Sequence, residues 1–274
     1  MPQPFLFNLA NSIAQRYAEL PQVEAVALAG SQTSGVADAN SDIDLYVYGN
    51  AELPLAARAA IAQARARHAE VGNQFWEPGD EWVDAETGIQ VDVMFRSCAW
   101  IEEQLERVLV RHEASVGYST CFWHNVISSR ALFDRNAWLQ NLQSQAARPF
   151  PEALRRAIIA KNFPILRQTL SSYRHQIERA ASRNDEVSVN HRVAALLASY
   201  FDILFAVNRL AHPGEKRLVA FAESNCKLLP EGMSAQLREL LRACTLGQDV
   251  LRHVDALLDG LEVILKREKF VFEK

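Results

Sequence analysis

Apolar positions recur along this chain in two rhythms, and the change from one to the other divides it. Leu6, Leu9, Ile13, Tyr17 and Leu20 fall at three- and four-residue steps, which predicts an amphipathic helix over 5–20 that Pro21 ends. The apolar run Val23 to Leu28 and the run Ile43 to Tyr48 predict two buried strands. Pro54 opens an Ala- and Arg-rich stretch that reads as one long helix to about Val71, with His68 near its C-terminal end as a structural or exposed residue. Residues 73–96 read as two strands around a turn, and Trp100, Ile101, Leu105, Val108 and Leu109 mark a helix from Ala99 to Glu113.

Beyond Val116-Gly117-Tyr118, a plausible hinge, the rhythm becomes helical. Cys121 to Ile127 predicts a short helix and Ala131 to Asp134 an extended piece. After Pro149 and Pro151, helices are expected over about 151–160, 163–183, 187–211, 216–226, 232–246 and 248–267. Leu196, Leu197, Tyr200, Phe201, Leu204 and Phe205 are spaced to bury a long helix among others. The expected fold class is α+β, a small mixed sheet with helices followed by an α-helical bundle, with domains at 1–114 and 115–274.

Composition narrows the class. With 274 residues, 49% hydrophobic and 23% charged, the chain is an ordinary globular protein large enough for two modest domains. A formal net charge of -4 argues against a general nucleic-acid surface. No apolar run reaches membrane-spanning length, and Met1-Pro2-Gln3-Pro4 lacks the features of a signal peptide. Cys98, Cys121, Cys226 and Cys244 show no paired spacing and read as free thiols of a cytoplasmic protein. The charge is uneven: residues 1–114 hold 7 Arg, no Lys and 17 Asp and Glu, net -10, whereas the remainder holds 22 basic against 16 acidic residues, net +6. An acidic half that gathers metal and a basic half that neutralises phosphate suit a Mg-nucleotide enzyme, and Arg-rich helical surfaces account for the asymmetry equally well.

The chemistry concentrates between Leu28 and Tyr48. The first strand ends in Gly30-Ser31, and Asp42-Ile43-Asp44 opens the second. Residues two apart on a strand share a face, so Asp42 and Asp44 aim two carboxylates at one point while Ile43 and Leu45 pack the other way. Two such carboxylates repel unless a cation sits between them, and hard oxygen ligands suit Mg²⁺. Glycine lets a phosphate approach the backbone, and a hydroxyl with neighbouring N–H groups can hold its oxygens. Of the acids at Asp80, Glu81 and Asp84, a role as base or amine binder competes with a solvated loop. His124, beside aromatics, reads as a packed histidine, and Tyr173 as a core aromatic or a stacking surface.

Gly30-Ser31, the step of eleven residues to Asp42, and Asp42-x-Asp44 resemble the signature of the DNA polymerase β-type nucleotidyltransferase superfamily. The resemblance implies that Gly30, Ser31 and Ser41 bind the nucleotide and that Asp42 and Asp44 hold metal. It also calls for a third carboxylate on a later strand, which Ile89–Phe95 supplies in Asp92. Asp42, Asp44 and Asp92 are then the catalytic residues, with two Mg²⁺ ions, an NTP (ATP first) as co-substrate, and Asp92 as a candidate proton acceptor. Gln32 and Thr33 stand where many relatives carry a basic or aromatic residue, so cations must come from elsewhere. Lys161 and Lys216 are the candidates. Lys216 and Arg217 stand at the opening of a helix, where either Glu215 or a bound phosphate would account for them. The helical half, with Arg155–Lys161 and Asn208–Arg217, resembles a domain of unassigned role behind bacterial nucleotidyltransferase domains, and the whole is similar to lincosamide and aminoglycoside nucleotidyltransferases. The expectation is transfer of an NMP to a small-molecule hydroxyl, an antibiotic among the candidates, without nucleic acid or membrane and with a homodimer left open. A protein or RNA end as acceptor, or a non-catalytic nucleotide-binding regulator, are the alternatives.

Overall fold

The computed structural model describes residues 4–30, 42–75, 77–246 and 249–270. The chain divides into two compact units, one running to Glu106 and taking in Asn125–Arg148, the other made of Arg107–His124 and the chain from Pro149 onward. The expected split after residue 114 therefore differs from these units, because residues 125–148 return to the sheet.

The first unit is a mixed sheet. Helix α1 (Pro4–Ala18) leads into β1 (Val23–Leu28), β2 (Ile43–Gly49), α2 (Leu55–Gln63), β3 (Ala66–Asn73), β4 (Gly79–Asp84), β5 (Gln90–Ser97) and α3 (Cys98–Leu109). After α4 (Cys121–Ser128) come β6 (Arg130–Asp134) and α5 (Trp138–Ala146). The strand order is β3-β4-β5-β2-β1-β6, and β2 with β5 is the parallel pair. One face carries Val26, Leu28, Ile43, Leu45, Val47, Trp82, Val91 and Val93, packed under Leu9, Ile13 and Tyr17 of α1 and Ile61 and Ala62 of α2. This alternation is the period of two that the sequence shows, with the opposite residues left for the other face.

The long helix expected over 54–71 stops at Gln63, and residues 66–73 form β3. Ala and Arg favour helix locally, but β3 pairs along its length with β4, and the Arg65 carbonyl accepts from Ala85 N–H at 2.7 Å. Tertiary pairing overrides propensity here. His68 accordingly lies on a strand, exposed, and not at a helix end. Edge strand β3 keeps Arg67, His68 and Glu70 exposed, charges that discourage edge pairing.

The second unit is helical: α6 (Glu152–Arg167), α7 (Tyr173–Ala181), α8 (Glu186–Val207), α9 (Leu218–Asn225), α10 (Met233–Leu246) and α11 (Val250–Arg267). Two helices differ from expectation. Helix α6 runs through 160–163 and carries Pro164 inside it, and the break falls later, where Ser172 caps α7 by accepting from His175 N–H. The centre is α8, whose Leu196, Tyr200, Leu204 and Phe205 are buried among Ile159, Phe163, Leu257 and Leu261. Inside this core Asp202 accepts from Ser119 N–H (3.0 Å) and Ser119 Oγ (2.6 Å), while Asn162 Oδ1 accepts from Gly117 N–H (2.9 Å). The hinge-like stretch around Gly117 is thereby tied to α6 and α8. Tyr173 packs against the same core, and all four cysteines are free.

Candidate active site

The site forms where β1 ends and β2 and β5 begin. In the parallel β2–β5 ladder Ile43 faces Val91, Asp44 faces Asp92 and Leu45 faces Val93. Directly paired residues of neighbouring strands project to the same face, about 4.8 Å apart, so the carboxylates of Asp44 and Asp92 stand side by side. Both are half-buried, and Asp42, two residues ahead, is exposed.

Gly30 closes the same corner. The β1–β2 pairing extends past β1 through Ala29 N–H to the Asp44 carbonyl at 2.9 Å. Gly30 then turns with φ +66°, and a Cβ added there would overlap the Asp44 carboxylate. Both facts demand glycine: the left-handed backbone disfavours any other residue, and the side chain would occupy the space Asp44 uses. Ser31 and Ser41 lie outside the described residues. Lys161, on α6, and Lys216, in the turn before α9, are both exposed and belong to the helical unit.

Among the described residues no three His, Cys, Asp or Glu side chains already converge as a metal cage. Mg²⁺ does not require one: it binds through one or two carboxylates and completes its shell with water and substrate phosphate. Hard oxygen donors on adjacent strands, closed against a side-chain-free turn at Gly30, fit that ion.

The remaining acids of β4 fall into two groups, and neither is a solvated loop. Asp80 is fully buried on the helix-covered face, where it accepts from Arg58 Nε (3.0 Å), Arg58 Nη2 (2.5 Å) and Gly72 N–H (2.8 Å). The Arg58 guanidinium also lies 4.0 Å above the Phe95 ring. Asp84 accepts from Arg65 Nε (2.7 Å) and from Thr87 N–H (3.0 Å) and Oγ1 (2.9 Å). Burial raises its pKa, but the Arg65 and Thr87 bonds outweigh that and hold the carboxyl below its ordinary value. Glu81 points the other way, because it pairs directly with Asp92 across the β4–β5 ladder.

Further along the same face Arg96 is buried, with its guanidinium 3.9 Å over the Tyr46 ring and hydrogen bonds to both Glu77 oxygens (2.7 and 2.8 Å). Trp138 of α5 packs on Tyr48, with ring centroids 5.3 Å apart. That end of the face is thus covered, whereas Glu70 and Gln90, flanking the acids, are exposed.

Residues 10–117 match the nucleotidyltransferase domain family. This chain carries a nucleotidyltransferase domain. Its match spans β1, β2 and β5, so Gly30, Asp44 and Asp92 all lie inside the domain, and it assigns the chain to the transferases. Residues 122–218 match a domain of unknown function, DUF4037. No curated protein matches the chain by sequence. Similar solved structures include a nucleotidyltransferase-like protein from Exiguobacterium sibiricum 255-15, 15% identical, covering 96% of this chain and 75% of that one with a TM-score of 0.43. The Thermotoga maritima CCA-adding enzyme complexed with tRNA is 12% identical over 99% of this chain and 85% of that one, TM-score 0.32. A STING-associated c-di-GMP synthase from Capnocytophaga granulosa is 10% identical over 98% and 84%, TM-score 0.29. Among the described residues no helix is long and apolar enough to cross a membrane.

Sequence reasoning missed the place of Glu81. The signal was present: a turn at Ala85–Gly88, with Gly88 at φ +73°, sets Asp84 against Ile89 and hence Glu81 against Asp92. It also missed the Arg96–Glu77–Tyr46 stack, which depends on a contact between distant segments and leaves no local pattern.

Proposed function

We propose that this nucleotidyltransferase moves a nucleoside monophosphate from an NTP, ATP first, to a hydroxyl of a small-molecule acceptor and releases pyrophosphate, with Mg²⁺ as the metal. The observation that carries this reading is Asp44 paired with Asp92 on parallel strands, with Gly30 closed against Asp44. Asp42, Asp44 and Asp92 would hold the ion. When bound, Mg²⁺ supplies charge neutralisation for the triphosphate and acidifies the incoming hydroxyl.

The chain's own work is positional. The turn at Gly30 offers backbone at close range to the phosphates, with Ser31 and Ser41 as further donors. The paired strands fix the two carboxylates in one register, so the reacting phosphorus is held without reorganisation at the moment of attack.

The test is pyrophosphate release from radiolabelled NTPs with Mg²⁺ across a panel of small hydroxyl compounds. Wild-type protein is expected to release it, and Asp44→Asn and Asp92→Asn to release none while keeping the wild-type circular dichroism spectrum. Full activity in Asp44→Asn would sink the proposal.

A further inference from the structure

The row of paired residues at the level of Asp44 extends across the sheet. Glu70 on β3 faces Glu81 on β4, Glu81 faces Asp92 on β5, and Asp92 faces Asp44 on β2. Gly30 follows β1, on the far side of β2 from β5. The order at that level is therefore the Gly30 turn, Asp44, Asp92, Glu81 and Glu70.

That order has a direction. In-line displacement at phosphorus puts the leaving pyrophosphate and the incoming oxygen on opposite sides of the reacting atom. On the reading above, the triphosphate lies against the Gly30 turn. The acceptor then approaches from the β5–β4 side, and the first carboxylate past Asp92 on that side is Glu81. The other two acids of β4 are engaged elsewhere: Asp80 with Arg58, Asp84 with Arg65. Glu81 is half-buried and turned to the acid face, and its Oε1 accepts from Asn73 Nδ2 at 3.3 Å.

We infer that Glu81 receives the proton of the attacking hydroxyl. This rests on the proposed nucleotidyl transfer and, of the acids to which the sequence offered a base role (Asp92 and the three of β4), assigns it to Glu81. In the step, the acceptor oxygen forms a bond to the α-phosphorus as the bond from that phosphorus to the bridging oxygen breaks. The bonding electron pair leaves with pyrophosphate, and the hydroxyl proton passes to Glu81 and then to water.

The experiment uses the full chain with Mg²⁺ and each of ATP, GTP, CTP and UTP, taking water and glycerol as generic hydroxyls, and reads pyrophosphate release. Affinity for the Mn²⁺–ATP complex is read separately by electron paramagnetic resonance. Glu81→Gln should lower turnover at saturating nucleotide by about 10²-fold, with Mn²⁺–ATP affinity unchanged and KM for ATP held. Asn73→Ala, which frees the carboxylate without removing it, should lower turnover by only about 3- to 10-fold. Asp92→Asn serves as the contrast, because it should lose Mn²⁺–ATP affinity itself. Unchanged turnover in Glu81→Gln overturns the assignment. So does a loss of Mn²⁺–ATP affinity matching that of Asp92→Asn, which would make Glu81 a metal ligand. Wild-type protein that binds the nucleotide without turnover removes the role, since no proton then moves. Wild type that neither binds Mn²⁺–ATP nor releases pyrophosphate sinks the wider reading and Glu81 with it.

Discussion

Strand β4 puts acids on both faces of one sheet, and their surroundings could hardly differ more. Asp80, under α2, is sealed from water and held by a forked guanidinium and a backbone N–H. One residue on, Glu81 faces Asp92, which faces Asp44, so three acids stand in register on the other face. Directly opposed like charges destabilise a sheet. On the covered face a carboxylate serves the fold; on the proposed reading, those of the acid face serve the reaction.

The sharpest way to break that comparison is to neutralise one acid on each face. Asp44→Asn should lower nucleotidyl transfer by about 10³-fold or more, on the order of 4 kcal/mol in the barrier. Its urea midpoint should stay close to wild type, since asparagine keeps the size of the side chain. Activity comes from labelled NTP and stability from denaturant melts of the same preparation. A variant that unfolded without losing specific activity would reverse the two roles.

Next in size is the glycine at the corner. Gly30→Ala places a methyl where the Asp44 carboxylate lies, at a backbone φ of +66°. The carboxylate must move, and a displacement of about 1 Å at a reacting centre costs roughly 10²-fold in rate. The left-handed backbone adds about 1 kcal/mol of instability. Transfer should therefore fall much further than stability does, and equal losses would mean that Gly30 serves the turn alone.

On the covered face the balance runs the other way. Arg58→Ala strands Asp80 as a buried, uncompensated charge and removes the guanidinium from Phe95, at a cost of about 3–5 kcal/mol. The double change Arg58→Met with Asp80→Leu should recover most of that loss, because the penalty is the orphaned charge and not the missing pair. Transfer per folded molecule should be unchanged throughout.

How much of this the sequence discloses depends on whether the cause is local. Asp44 and Asp92 are legible because each sits in an alternating run whose apolar partners must face the core. Gly30 is legible because a strand ending in glycine signals a turn. Strand β3 is not legible, since its Ala and Arg residues favour helix and only pairing with β4 makes it a strand. The buried Asp80 and Asp84 read as a solvated loop because their arginines lie 22 and 19 residues away. Helix α6 differs in another way: a break is expected between 160 and 163, yet the helix runs through it and carries Pro164 internally. Charge pairs across strands and helices are long-range facts, and a chain pattern with a period of two cannot carry them.

The helical unit offers a third carboxylate environment and the smallest expected effect. Asp202 is buried, and among the described residues its hydrogen-bond partners are Ser119 and Asn162, with no arginine or lysine. Burial pushes its pKa up to about 7, while the Ser119 bonds pull it part of the way back. The folded state thus holds a proton that the unfolded chain releases near pH 4. Below that, the carboxyl is protonated in both states and its contribution is complete. As pH rises towards 7 the contribution is lost, at a slope of at most about 1.4 kcal/mol per pH unit, and above 7 the loss levels off. Asp202→Asn should flatten that slope, measured as the difference in urea midpoint between pH 5 and pH 7.5. A slope that survives in Asp202→Asn would mean that the proton is bound elsewhere. The contrast would then hold only between the two faces of the sheet, and would not extend to the two units of the chain.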